Sequence, residues 1–136
     1  MAVVEGLIRA EADGSLSFGN HILKEKAKKE DFEHRGDLYK VKTYATMTKL
    51  EKNGMFVYES VPGTSVNCFA EDADGVAFRV EGQEDAQLTI GLEDDMEYEV
   101  TINGESIGKL KTNLGGKLNI SVELADAGEV AVTVQK

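Results

Sequence analysis

Apolar and polar residues alternate one for one through most of the second half of this chain. In Leu88-Thr89-Ile90-Gly91-Leu92, Tyr98-Glu99-Val100-Thr101-Ile102, Leu118-Asn119-Ile120-Ser121-Val122-Glu123-Leu124 and Val130-Ala131-Val132-Thr133-Val134, every second residue is apolar. A period of two is the signature of strands with one buried face. Asp94-Asp95, Asn103-Gly104, Gly115-Gly116 and Ala127-Gly128 punctuate the runs. Such residues accept positive φ or make local side-chain hydrogen bonds where a chain reverses.

The first half is less regular. Val3 to Arg9 reads as a strand, and Ala12-Asp13-Gly14 as a tight turn into Ser15-Leu16-Ser17-Phe18. From Leu23 to His34 the run Lys24-Glu25-Lys26-Ala27-Lys28-Lys29-Glu30 has one i,i+4 pair in the favoured Glu-before-Lys order, Glu25 with Lys29, and few apolar residues are available to pin the segment to a core. A solvated loop with at most one helical turn is expected there. Strands are expected at Leu38–Tyr44, Thr46–Leu50 and Met55–Tyr58, the last entered through the hairpin turn Lys52-Asn53-Gly54. Val61-Pro62-Gly63 holds the single proline. It marks a candidate sub-boundary at 61–63 within one β-domain spanning 1–136, separating a β layer (1–60) from a sandwich (61–136). Ser65–Phe69, the turn Asp72-Ala73-Asp74-Gly75 and Val76–Val80 follow. The spacing of about ten residues per strand predicts an all-β antiparallel sandwich of about ten to twelve strands.

A chain of 136 residues buries roughly two-thirds of its extended surface, enough for a core without staples. The single cysteine excludes an intramolecular disulfide. The N-terminus has no basic region before an apolar stretch, and no apolar run is long enough to span a bilayer, so a cytoplasmic location is the default expectation. The net charge of −10 is unevenly placed: residues 1–68 hold ten Lys/Arg and ten Asp/Glu, residues 69–136 five and fifteen. That sign disfavours nucleic acid as a partner.

Candidate chemistry is sparse. Cys68 stands near Glu71 and Asp72, which oppose a thiolate, and is expected to be a buried structural residue. His21 and His34 lack the spacing of zinc ligands and read as solvated. Asp72-Ala73-Asp74-Gly75 and Glu93-Asp94-Asp95 are oxygen-rich, yet neither continues into a calcium-binding loop, so both read as turns and no metal or cofactor is predicted. Arg35-Gly36-Asp37 spells an integrin-binding tripeptide and Asn119-Ile120-Ser121 a glycosylation sequon, but each match is short and no secretion signal accompanies them. There is no tryptophan. A glycan reader would need Tyr39, Tyr44 and Tyr58 exposed on one face, although Tyr39 and Tyr44 have opposite strand parity. No pair of carboxylates stands out for acid–base work. No catalytic residue is assigned, and an enzyme is disfavoured.

Residues 88–100, Leu88-Thr89-Ile90-Gly91-Leu92-Glu93-Asp94-Asp95-Met96-Glu97-Tyr98-Glu99-Val100, resemble fibronectin type III and related Ig-like domains. There a leucine precedes a strand-corner tyrosine by six residues. The resemblance implies a structural role for Leu92 and Tyr98 and an Ig-like character for residues 61–136. The proline usual between the two is replaced by Glu93-Asp94-Asp95. Through residues 49–64 (Lys-Leu-Glu-Lys-Asn-Gly-Met-Phe-Val-Tyr-Glu-Ser-Val-Pro-Gly-Thr) and 111–118 (Lys-Thr-Asn-Leu-Gly-Gly-Lys-Leu), the chain also resembles short clostridial β-proteins that carry the label endosialidase. Sialidases are large propellers with an arginine cluster. This chain has only Arg9, Arg35 and Arg79, and no active-site residue carries over. The expected function is a non-enzymatic structural or interaction protein, associating with itself or another protein through sheet edges and a charge-asymmetric surface. The alternative is a carbohydrate-recognition or accessory module.

Overall fold

The computed structural model describes residues 3–136. Within them the alternating runs and their turns make thirteen strands: β1 (Ile8–Ala10), β2 (Leu16–Phe18), β3 (Ala27–His34), β4 (Asp37–Thr43), β5 (Thr48–Lys52), β6 (Met55–Val61), β7 (Ser65–Asp72), β8 (Gly75–Glu81), β9 (Ala86–Gly91), β10 (Glu97–Ile102), β11 (Glu105–Lys111), β12 (Lys117–Val122) and β13 (Val130–Gln135). The protein is all-β. Its two antiparallel sheets pack as a sandwich, one ordered β1-β2-β7-β8-β13-β10-β11 and the other β12-β9-β6-β5-β4-β3.

Alternation fixes register, because a one-residue slip would turn every apolar side chain outward. Leu118 stands opposite Ile90, Ile120 opposite Leu88, and Val122 opposite Ala86, all buried. Val130, Val132 and Val134 pair with Val80, Phe78 and Val76 in the same way. An aromatic cluster joins the layers. Phe18, Phe69 and Phe78 come from the seven-stranded sheet and Tyr58 from the six-stranded one, with Phe18 edge-on to Tyr58 at 5.3 Å and Phe69 stacked on Phe78 at 5.5 Å. Each such buried ring contributes about 1.5–3 kcal/mol from removal from water, and each ring pair about 0.5–1.5 kcal/mol beyond that.

Three expectations are corrected. The strand at Val3–Arg9 shrinks to Ile8–Ala10, because Gly6 (φ 76°) and Leu7 (φ 74°) take left-handed conformations that bend the chain. The supposed loop at Leu23–His34 contains β3, an eight-residue edge strand. Its exposed Lys28, Lys29, Glu30, Asp31 and Glu33 are what an outer strand carries to discourage pairing with another chain. It has a hydrogen-bonded neighbour on one side only, β4, and Phe32 packs on the core. The strand count also exceeds twelve, since β3 and the mostly polar β11 both pair.

At Val61-Pro62-Gly63 the chain crosses from the six-stranded sheet to the seven-stranded one. Strands from both sides of this crossing contribute to both sheets. Gly63 is required there by space: a Cβ would collide with the Tyr44 carbonyl oxygen.

Candidate functional site

Outward positions of the six-stranded sheet align into rows. Lys28 pairs with Lys42, Lys42 with Lys49, and Lys49 with Glu59, followed by Thr89 and Asn119. Like charges directly opposite each other in a sheet are destabilising. Lys28 is relieved by Glu30 at 3.4 Å, which also meets Lys40 at 3.4 Å. These hydrogen bonds, from Lys28 first and Lys40 second, hold the Glu30 carboxyl below its ordinary pKa. Lys42 and Lys49 have no carboxylate within ion-pair distance among the described residues. The carboxylates of residues 69–136 fall differently. β9 and β12 carry none, and most lie in the connections at the sandwich ends, including Asp74, Asp94, Asp95, Asp126 and Glu129. The charge asymmetry is therefore a lysine row on one sheet against acidic loops at its ends.

One end of the sandwich holds an open cleft of about 460 Å³. Its apolar residues include Phe56, Val57 and Leu92, and its rim carries Glu71, Asp72, Glu93, Asp94, Lys52 and Lys117. Lys52 meets Glu71 at 3.4 Å, and the Lys117 ammonium lies 4.6 Å from the Phe56 ring centroid. Glu93 is engaged by Lys136 at 2.6 Å. Much of the rim charge is thus satisfied internally. No group of three or more His, Cys, Asp or Glu among the described residues is arranged to hold a metal ion.

Leu92 and Tyr98 meet at this end. Tyr98 is buried, and its hydroxyl accepts the Glu93 N–H at 3.3 Å. Leu92 packs partly on the core, and its N–H donates to Gly116 O at 2.7 Å. Thr112, which sequence reasoning missed, ties the same corner. Its buried hydroxyl donates to Glu93 O at 2.6 Å and accepts the Met96 N–H at 2.9 Å.

Cys68 is exposed rather than buried. It sits at φ 57° in a bulge of β7, where the register with β8 shifts between Asn67 and Ala70. Val66 and Phe69 are both buried although three residues apart, which a regular strand forbids; the bulge restores their common face and turns Cys68 out. His21 is corrected in the opposite sense. It is 3% exposed, and its Nδ1 lies 2.8 Å from Ser65 Oγ. Burial lowers its pKa, opposed by the Glu81 charge. His34 is half-buried and donates from Nε2 to Gly14 O at 2.9 Å.

The tyrosine platform does not form: Tyr39 and Tyr58 are buried. Burial pushes the Tyr39 phenol up to about 12 and raises that of Tyr58 further. Asp72 acts as a turn residue, its Oδ1 accepting the N–H groups of Asp74 and Gly75. Arg35 and Gly36 form the positive-φ turn between β3 and β4. Asn119 of the sequon lies on β12, where it accepts the Thr89 hydroxyl at 2.8 Å.

A buried hydroxyl network was also illegible in advance. Thr64 Oγ1 meets Tyr58 Oη and Ser60 Oγ at 2.8 Å each, while Thr48 Oγ1 donates to Thr64 O at 2.7 Å and meets Thr43 Oγ1 at 2.8 Å. With the His21–Ser65 pair it satisfies buried polar groups where β6 passes into β7. A serine hydroxyl beside an imidazole has nucleophile–base geometry. Here Ser65 is fully buried, and its oxygen is further held by the His21 N–H at 3.3 Å. The pair works as a structural clasp.

The chain was compared with protein-family models, curated proteins and solved structures, and no match was found.

Proposed function

We propose that this protein is a non-enzymatic interaction protein that associates with a protein partner, foremost another copy of itself, through its sheet edges and charge-asymmetric surface. The lysine row Lys28–Lys42–Lys49 carries this reading. Placing three ammonium groups on neighbouring strands costs stability that an opposing acidic surface would return. The acidic connections of the same chain supply such a surface. The test is molar mass by light scattering at two protein and two salt concentrations, with Lys42→Glu/Lys49→Glu alongside. The expected result is a mass above 14.8 kDa that falls with salt; a fall in the double variant as well puts the lysine row in the contact, and no fall leaves the contact to a sheet edge. A monomer throughout removes self-association and directs the search to other proteins.

A second reading, a carbohydrate-recognition or accessory module, draws support from the 460 Å³ end cleft with its mixed apolar and carboxylate lining. A glycan array decides it. Binding that is lost in Leu92→Asp supports it, and no binding ends it.

A further inference from the structure

The two sheets expose four edges, and three are protected. β1 has three residues. β3 carries charges and a register shift between Lys29 and Phe32. β11 has a register shift against β10 and Gly108 at φ 109°. The fourth, β12, is regular along its whole pairing with β9, has no proline, and carries no charge beyond Lys117. Natural sheets seldom leave a long, flat, uncharged edge uncovered.

Its main chain is directed outward at known residues. Leu92 N–H donates to Gly116 O, so Gly116 faces β9 with its main chain, and by antiparallel alternation so do Leu118, Ile120 and Val122. Lys117 turns its N–H and C=O the other way, to Asn113 at 3.0 and 3.1 Å. Asn119 and Ser121 then point theirs to the open side.

The sequence of this edge is self-complementary about Ile120. Laid antiparallel on a second copy, Asn119 faces the second copy's Ser121, joining two residues with outward N–H and C=O groups. In the same register the ladder between copies ends at Asn119 and Ser121, because Asn113 holds the Lys117 main chain, and the Lys117 side chain reaches toward the second copy's Glu123; both are exposed. Glu123 has no ion-pair partner among the described residues. It lines a cleft of about 600 Å³ between β11 and β12 whose charged residues are Glu105, Glu123 and Asp126, with no cation, and half-exposed Ile107 sits in the same cleft. Moving the register by two residues in either direction separates Lys117 from Glu123.

We infer that β12 is the self-association edge of this protein: two copies join about a two-fold axis at Ile120, continuing the six-stranded sheet across the interface, with Lys117 of each copy paired to Glu123 of the other. This rests on the self-association reading above through its sheet edges, not its lysine row, which lies on β3–β5 away from this interface, and it names the edge and register. On pairing, the Lys117 ammonium leaves the Phe56 ring for the acidic cleft.

The test is a concentration series by light scattering for the native chain, Lys117→Glu, Glu123→Lys, the doubly swapped chain, and Ser121→Pro. The proline deletes an N–H that β9 does not use, and edge strands tolerate it; circular dichroism and thermal unfolding check that each variant folds. The native chain is expected to reach the mass of two copies. Each single reversal should weaken the dimer by about tenfold, the double swap should restore it, and Ser121→Pro should abolish it. Loss in both single reversals without restoration overturns the register. A dimer indifferent to all four variants overturns the edge while leaving the self-association reading, which Lys42→Glu/Lys49→Glu then tests. A native chain that stays monomeric overturns both.

Discussion

Burial gives His21 a titration that a solvated histidine lacks. Its folded-state pKa lies below the ordinary 6.5 because desolvation disfavours the imidazolium, with the Glu81 charge acting against that. Below about pH 6.5 the unfolded chain therefore binds this proton more readily than the folded one, and stability falls as pH drops toward the folded pKa; above that range the contribution is level. The expected outcome is a urea midpoint that declines as pH falls below about 6.5 in the native chain and stays flatter in His21→Asn. Glu11, Asp13 and Glu30, whose pKa values are lowered chiefly by hydrogen bonds from Ser17, Ser15 and Lys28, act with the same sign in a lower window. Their contribution is lost as pH falls from the ordinary carboxylate range through their folded pKa values. Cys68 gives a simpler check. Being exposed, it should react fully with a thiol reagent in native buffer, without waiting for denaturant. Removing the Tyr58 hydroxyl should cost about 1–2 kcal/mol, read as a lower denaturant midpoint in Tyr58→Phe, because Thr64 loses a buried partner.

Among the elements, legibility followed burial. β9, β10, β12 and β13 could be read from the sequence because each lays alternate apolar residues on a core that accepts only one face. β3 could not, since an edge strand needs only an anchor such as Phe32 and gains from the charges that made it look like a loop. The two-residue turn Arg35-Gly36 was the signal available for it. Lys52-Asn53-Gly54 was legible for its turn chemistry, but the part Asn53 plays across strands was not: its Oδ1 accepts the Leu38 N–H at 2.9 Å and its Nδ2 donates to Asp37 Oδ1 at 2.9 Å. Asn53→Ala should therefore destabilise by about 1–2 kcal/mol in a denaturant titration. Glycines should divide by what their Cβ would meet. At Gly75 (φ 148°) it would strike the Val134 carbonyl oxygen, whereas at Gly104 (φ 82°) it meets nothing within 4 Å. Gly75→Ala should lower the thermal midpoint well beyond Gly104→Ala, whose cost of about 1 kcal/mol is backbone strain alone.

For the whole molecule, charge counts along the chain anticipated an acidic half, yet they could not locate it in space. Strand order interleaves the two halves, so the acidic residues collect in connections and the lysines line up through register, which only pairing reveals. The candidate site was correspondingly faint in the sequence: Lys117 and Glu123 are six positions apart and become a matched pair only when β12 is seen to lack a second neighbour. The lysine row carries its own prediction. Lys42→Glu replaces two like-charge oppositions with two attractive ones, and should raise the thermal midpoint at low salt by an amount that shrinks as salt is added. If the same change weakens association, the row is retained at a cost to the monomer.

β13 lies between β8 and β10, inside the seven-stranded sheet. Until Val130–Gln135 has left the ribosome, β8 has no partner on that side, and β10–β11 is a hairpin detached from the rest of its layer. From the emergence of β8 to that of β13 the nascent chain must therefore hold unpaired strand edges in this layer. Completion of the seven-stranded sheet waits for β13, and the interval before it emerges is when this protein depends most on whatever shields exposed strands in the cell.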